Sequence, residues 1–418
     1  MIRAALDRVV EAYRVSLEIP DPSQIHAILG TVAANLGKDD KPIWLIFVGP
    51  PSSGKSDPMK YLGAIGNVRF TSEVTQGGLL SCSPTKGKAN TGTGGLLNTI
   101  REPSVLVISD MSPILSLGEE GMKKFLGLMR EVYDGKVIRH GGQDGGKEVS
   151  WTGKLGLLAA STGDIDRHHS IINTLGDRYL YFRMPAGDVS AKMERARTRK
   201  DNKKGIDAAL KELFGLIVGS GPAELTDENE KTLQSLASFV AVARTAVIRD
   251  PHTRKLDDIA QPEEPTRLYL AFRTLLKGMI RIGLNEAEAM AVTSKIGLDS
   301  LPPARLAIIK MALAAGDVTV NDVKSGPWFF STTAIHRAFE ELVEYRLLTK
   351  TGVNGIEAHY FPSVSLTSMA TSLPTGTFSD LLSFTWKNNK EVREGAPVKS
   401  EKVGQPDPDL VFGEIFPP

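Results

Sequence analysis

Residues 49 to 56 read Gly-Pro-Pro-Ser-Ser-Gly-Lys-Ser, an order of residue types suited to holding phosphate. Gly49 and Gly54 free the backbone to turn successive N–H groups inward around phosphate oxygens. A helix starting after them adds the partial positive charge of its N-terminus. Lys55 would then reach the β and γ phosphates, and the Ser56 hydroxyl would ligate Mg2+. Gly49, Pro50, Pro51, Ser52, Ser53, Gly54, Lys55 and Ser56 are therefore the expected cradle for ATP. The ordinary alternative is a chance glycine turn, against which stands the apolar run Ile43–Val48 just before it, readable as a strand. Asp57 and Pro58 fall in the first turn of the expected helix, where both are tolerated but not typical of such a loop.

A magnesium-nucleotide site needs a second acid from an adjacent strand, and Ser104-Val-Leu-Val-Ile-Ser-Asp110 offers Asp110 at the strand's carboxyl end. Its plain alternative is an aspartate that caps the next segment. Met111 follows where a catalytic acid is usual, so Glu119, Glu120 or Glu131 would have to activate water, or hydrolysis would be slow. The run Leu158-Ala-Ala-Ser161-Thr162 ends a further strand with hydroxyls that either orient an attacking water or cap the segment after it. His168 and His169 are adjacent, so on a helix they point about 100° apart and share one ion poorly. Polar contacts at a helix start are the expected use.

These residues need scaffolding, and a chain of 418 residues has room for roughly two to four domains. Fifty Lys and Arg against forty-nine Asp and Glu leave a net charge of +1, so any nucleic-acid contact must be a local patch. One cysteine, Cys82, excludes an intramolecular disulfide, and seven histidines give no zinc spacing. No apolar run approaches a membrane span, so a cytoplasmic location with no membrane partner is expected. Helical periodicity marks residues 1–40 as an N-terminal collar. Alternating apolar runs and helical stretches over 41–187 predict an α/β domain with a parallel sheet, and 188–297 reads as a helical lid. Residues 298–363 show helix, short helix, helix and two strand-like pieces, which is winged-helix order. The Ser-, Thr-, Pro- and Lys-rich remainder, 364–418, reads as a flexible tail.

Taken in order, the loop at 49–56, Asp110, Thr162, Arg178 and Arg267 make the chain similar to AAA+ ATPases, the P-loop NTPases that form rings. The resemblance implies that Arg178, in LGDRYLYFRMP, reaches a neighbour's γ-phosphate, and that Arg267, opening a lid helix, touches nucleotide in its own subunit. Residues 137–151 resemble the hairpin that faces the DNA-filled pore in superfamily 3 and minichromosome-maintenance-like helicases. There Lys136, Arg139, His140 and Lys147 would touch DNA, diluted by Asp144 and Glu148; a solvent-exposed hairpin is the alternative. WLIFVGPPSSGKS, REVYDGK, WTGKLGLLAAST and LGDRYLYFR are similar to ATP-binding proteins of phages and mobile elements over residues 20–185. Ser56-Asp57 and Ser109-Asp110 depart from the commoner Thr-Glu and Lys-Asp.

In the winged-helix segment, Ile335, Phe339, Leu342 and Val343 share one face, and Thr333, His336, Arg337 and Glu340 the other. Thr333, His336 and Arg337 would enter a DNA groove, with Asn354-Gly355 turning the wing. Many such domains bind protein instead. The basic run at 191–204 reads as a solvated lid helix. The expected function is an ATP- and Mg2+-dependent DNA helicase or translocase in replication of a phage or other mobile element. Its expected partners are further copies of itself in a hexamer, DNA and a replication protein. The alternatives are an ATP-dependent switch or loader that does not unwind, and a nucleotide-gated regulator that binds one operator.

Overall fold

The computed structural model describes residues 1–373 except 38–39, 73, 81–94, 142–146, 175, 186–187, 199, 220, 222, 251, 254–255, 259–260 and 353–357. The Asn354-Gly355 turn, Cys82, Asp144 and the segment beyond 373 thus lie outside the described residues. The apolar runs fold as strands β1 (Trp44–Val48), β2 (Val68–Thr71), β3 (Ser104–Ile108), β6 (Leu155–Ser161) and β7 (Tyr179–Arg183). They form one parallel sheet in the order β2-β3-β6-β1-β7. Between β3 and β6 the chain makes a separate antiparallel hairpin, β4 (Lys136–Gly141) and β5 (Lys147–Thr152).

Every residue of β1, β3 and β6 is buried, which explains why these strands read as continuous apolar runs without alternation. Leu45 and Phe47 join a core shared with the N-terminal and C-terminal helices. Trp44, Ile46 and Val48 join a second core on the other face with the Glu119–Asp134 helix. The sheet is thus covered on both faces, an α/β layering.

The first two helices, Ile2–Ser16 and Ser23–Asn35, pack into the same core as the central strand. Asn35, fully buried, donates to Ile43 O (3.0 Å) and accepts from Ile43 N (2.9 Å), alongside Leu157 N of β6, which also donates to Ile43 O (3.1 Å). A Cβ on Gly156 would lie 2.3 Å from Asn35 Cγ, so β6 needs glycine to pass it. The outer edge of β7 is closed: Ser300 Oγ accepts from Tyr181 N (3.0 Å) and Asp299 from Arg183 N (2.8 Å). Those two residues end the Glu286–Asp299 helix, which Asn285 and Glu288 start with reciprocal capping bonds.

The remaining helices of the middle region are Val189–Thr198, Lys203–Val218, Asp227–Arg244 and Thr266–Arg281, with a small pair β8 (Ile248–Arg249) and β9 (Leu256–Asp258). Helices Pro303–Ala315, Val320–Lys324 and Thr332–Glu344 then precede the antiparallel pair β10 (Leu348–Thr351) and β11 (His359–Pro362). Ile335, Phe339 and Leu342 are fully buried, and Phe339 stacks on Tyr360 of β11 with ring centres 4.1 Å apart. Residue 364 does not begin a tail: Val364–Thr371 is a helix capped by Ser363, with Leu366 and Ala370 fully buried. Among the described residues no helix is long and apolar enough to cross a membrane.

The Ser23–Asn35 and Thr266–Arg281 helices meet so closely that a Cβ on Gly278 would lie 2.3 Å from Gly30 O. Gly278→Ala is expected to destabilise the protein by about 2 kcal/mol in urea unfolding, because backbone must move. Gly215→Ala, in the Lys203–Val218 helix with nothing near its added methyl, should instead stabilise by roughly 0.5–1 kcal/mol.

Candidate functional site

The loop at 49–56 leaves the carboxyl end of β1, where ligands of parallel sheets collect. Its entry is fixed on both sides: Gly49 N donates to Ser161 O of β6 (3.2 Å), and Met184 N after β7 donates to Val48 O (2.8 Å). A Cβ on Gly49 would lie 2.9 Å from both Met184 and Ser53 Oγ, so this glycine is required by space. Ser53 N donates to Pro50 O (3.2 Å), closing a turn in which Pro51 precedes Ser52 at φ 60°. That pattern is type II, which prefers glycine where Ser52 stands, so Ser52 carries strain. Gly54, at φ 83°, has nothing within 4 Å of an added Cβ and is required by backbone conformation alone.

Gln24, in the first turn of the Ser23–Asn35 helix, donates through Nε2 to Gly54 O (3.0 Å) and Lys55 O (3.4 Å). Because each trans peptide sets its N–H opposite its carbonyl, the N–H groups of Lys55 and Ser56 face away from Gln24. The Lys55 ammonium folds back and donates to Pro50 O (3.1 Å). Ser53 Oγ is buried without a partner, and Ser56 is half-buried.

The expected helix after the loop is absent; a 3-10 helix, Pro58–Ala64, begins three residues beyond Lys55. The reason is Pro58. Inside an α-helix running from Gly54 its ring would collide with the Gly54 carbonyl four residues earlier, and it has no N–H to donate. Tyr13 OH, whose pKa burial pushes well up, donates to Pro58 O (3.0 Å) and ties the first helix to this turn.

Beside the loop lies a cavity of about 230 Å3. Leu17, Ile19, Phe182 and Met184 give it apolar lining, and Ser52, Ser53 and Gly54 of the loop line it too, as do Lys192 and Arg195. None of Tyr13, Leu17, Gln24, Lys192 or Arg195 is singled out by motif. Only the basic composition of 191–204 signals the last two, and that stretch reads as a solvated helix.

Asp110 is not on a strand adjacent to β1, because β6 stands between β3 and β1. Its Oδ1 accepts from Ser112 N (2.9 Å) and Ser112 Oγ (2.7 Å), which is the capping arrangement of an ordinary aspartate. Thr162 follows β6, next to the loop strand, and its Oγ1 donates to Asp164 (3.4 Å) as the Gly163–His168 turn begins. Glu119 and Glu120 pair with Lys123 and Lys124 along their own helix.

The two arginines lie elsewhere. Arg178 precedes β7, whose first residue Tyr179 pairs with Trp44 at the start of β1, so it sits at the amino end of the sheet. That is one strand length, roughly 13 Å, from the end that carries the loop. It donates to Gly176 O (2.8 Å), approaches Asp134 (3.5 Å) and lies over the Tyr133 ring (5.2 Å). Its side chain is 11% exposed, and burial pushes its pKa down against the pull of Asp134. Arg267 is beside it rather than at the loop: a Cβ on Gly176 would lie 3.2 Å from Arg178 Nη1 and 3.5 Å from Arg267 Nη1. Arg267 also pairs with Glu263. Contact between Arg267 and a nucleotide at its own loop is therefore not what this arrangement offers. The adjoining Arg244, fully buried, holds Glu263, Tyr179 O (3.2 Å) and Asp177 O (3.1 Å). Its only signal is a charge within the apolar stretch SFVAVARTAV. His169 is half-buried with its Nε2 enclosed and unpartnered, and desolvation lowers its pKa to about 3, while no group of three or more metal-binding side chains occurs among the described residues.

The β4–β5 hairpin divides the expected DNA set. Lys136 and His140 share the exposed face with Ile138, whereas Arg139 points to the other face and donates to Leu80 O (3.1 Å). Lys147 lies in β5; its side chain is outside the described residues. On the Thr332–Glu344 helix, Thr333 and His336 are exposed and Arg337 half-buried. Glu340 and Glu341 are occupied by Arg249 (2.7 and 3.0 Å), and Glu341 also by Arg305 (3.0 Å).

No family model matches this chain, and no curated protein matches it.

Relief of the left-handed strain makes a direct test of the loop conformation. Ser52→Gly is expected to stabilise the protein by about 1 kcal/mol and Gly54→Ala to destabilise it by a similar amount in denaturant titration. Equal, near-zero effects would contradict these dihedrals.

Proposed function

We propose that the chain binds ATP with Mg2+ at residues 49–56 and is an AAA+-type P-loop ATPase acting on DNA. The observation that supports this reading is a cavity lined by Ser52, Ser53 and Gly54 of the loop together with Leu17, Ile19, Phe182 and Met184, side chains apolar enough to hold a base. The loop fits the group: positive φ at Ser52 and Gly54, no room for a side chain at Gly49, and an unpartnered Ser53 hydroxyl. Bound Mg-ATP would supply the anhydride bond whose hydrolysis drives work, with the metal neutralising phosphate charge. Lys55 would exchange Pro50 O for phosphate, and the Ser56 hydroxyl and Asp110 carboxylate would serve as oxygen ligands to the metal. Thr162, beside β1, would orient water.

As a ring-forming helicase or translocase for a phage or other mobile element, a hexamer would use Arg178 on a neighbour's nucleotide, with Arg267 beside it. Lys136 and His140 on the hairpin would meet a single strand, and Thr333, His336 and Arg337 of a winged helix would meet duplex. A second reading, an ATP-dependent switch or loader for a replication partner, is favoured by the Asp110 cap and by the small positive charge of the hairpin's exposed face.

ATP hydrolysis with and without single-stranded DNA distinguishes them. A motor predicts DNA-stimulated turnover reduced about 100-fold by Lys55→Ala and by Arg178→Ala. Tight binding with negligible turnover would leave the switch, and failure to bind ATP would contradict both.

A further inference from the structure

With Arg267 at the far end of the sheet, any cation that meets phosphates at the loop from the helical side is another residue. Arg183, at the loop end of β7, is already committed. Its guanidinium holds Asp166 (2.9 and 2.7 Å) and Asp299 O (2.9 Å), and its side chain is 19% exposed. Among the described residues lining the cavity, the basic ones are Lys192 and Arg195. They lie three apart on the Val189–Thr198 helix, hence on one face, together with Ala196, which also lines the cavity.

The acids around the same cavity are not equally engaged. Asp21 accepts from Ser23 N (2.9 Å) and Asp57 pairs with Lys60 (2.6 Å). Glu18 approaches Arg195 across the cavity wall at 3.6 Å, with both side chains about a third exposed. A long, partly solvated pair of this kind is weakly held. A triphosphate, bearing several charges and fixed by the loop, would outcompete one carboxylate for the guanidinium.

We propose that Arg195, assisted by Lys192, is the residue through which the Val189–Thr198 helix engages the phosphates of a bound nucleotide, and that Glu18 holds Arg195 aside until then. This rests on the reading of residues 49–56 as a nucleotide loop. Exchange of Arg195 from Glu18 to phosphate draws that helix toward the loop, so Glu18 competes with the nucleotide and sets its affinity. Arg195 is a phosphate-binding residue in this scheme and Glu18, which acts through it, a positioning residue, while Lys55 remains the loop's own phosphate ligand.

Equilibrium titration with a fluorescent ATP analogue, without turnover, tests it. Arg195→Ala is expected to weaken binding about tenfold and Lys192→Ala by less. Glu18→Gln should tighten binding severalfold, and that gain should vanish in Glu18→Gln/Arg195→Ala. Thermal melting of the nucleotide-free variants should match the wild type, since the pair is partly exposed. Wild-type affinity in Arg195→Ala, or a Glu18→Gln gain that persists without Arg195, would overturn the proposal while Lys55→Ala still abolished binding. A wild-type protein that bound no analogue would instead overturn the loop reading and this inference with it.

Discussion

A proline four residues after Gly54 cannot donate to that glycine's carbonyl and crowds it, which disfavours an α-helix starting there, and the loop is held by other supports. The helix that would have oriented the loop starts late, as a 3-10 turn at Pro58. Its absence is made good from the N-terminal helices. Gln24 holds the Gly54 and Lys55 carbonyls, and Tyr13 holds the carbonyl of Pro58 itself. The second of these helices is in turn fixed to the start of β1 by Asn35 on Ile43, and to the Thr266–Arg281 helix by the close passage of Gly30 and Gly278. The first thirty-five residues therefore behave as part of the site's frame rather than as a separate collar.

Parallel strands have two chemically different ends, and this sheet uses both. At the carboxyl end stand the strained loop, the cavity and the cations Lys192 and Arg195. At the amino end Arg178, Arg244 and Arg267 gather with Asp134, Asp177 and Glu263. Burial there pushes the Asp177 carboxyl above its usual range despite Arg244 beside it. The amino-end arginines thus stand about one strand length, roughly 13 Å, from the end that carries the loop.

The strands were legible because burial on both faces leaves no room for polar residues, as in Trp44–Val48 and Leu155–Ser161. The loop was legible because its glycines answer to space at Gly49 and to backbone angle at Gly54. Other features were legible only in part. A residue just before a parallel strand must lie opposite the loop, which places Arg178, and the two-residue alternation of a hairpin separates Arg139 from Lys136 and His140. Arg267 could not be placed this way, since its position depends on how one helix crosses another. Gln24 and Asn35 were invisible because each is a polar residue whose partner is distant backbone.

The central claim, that the cavity beside residues 49–56 receives a nucleotide base, is tested most directly by photolabelling with 8-azido-ATP and mapping the modified peptides. Labelling of segments 16–24 or 182–196 that excess ATP suppresses is the result expected. Labelling confined to other segments, or unaffected by ATP, would contradict it.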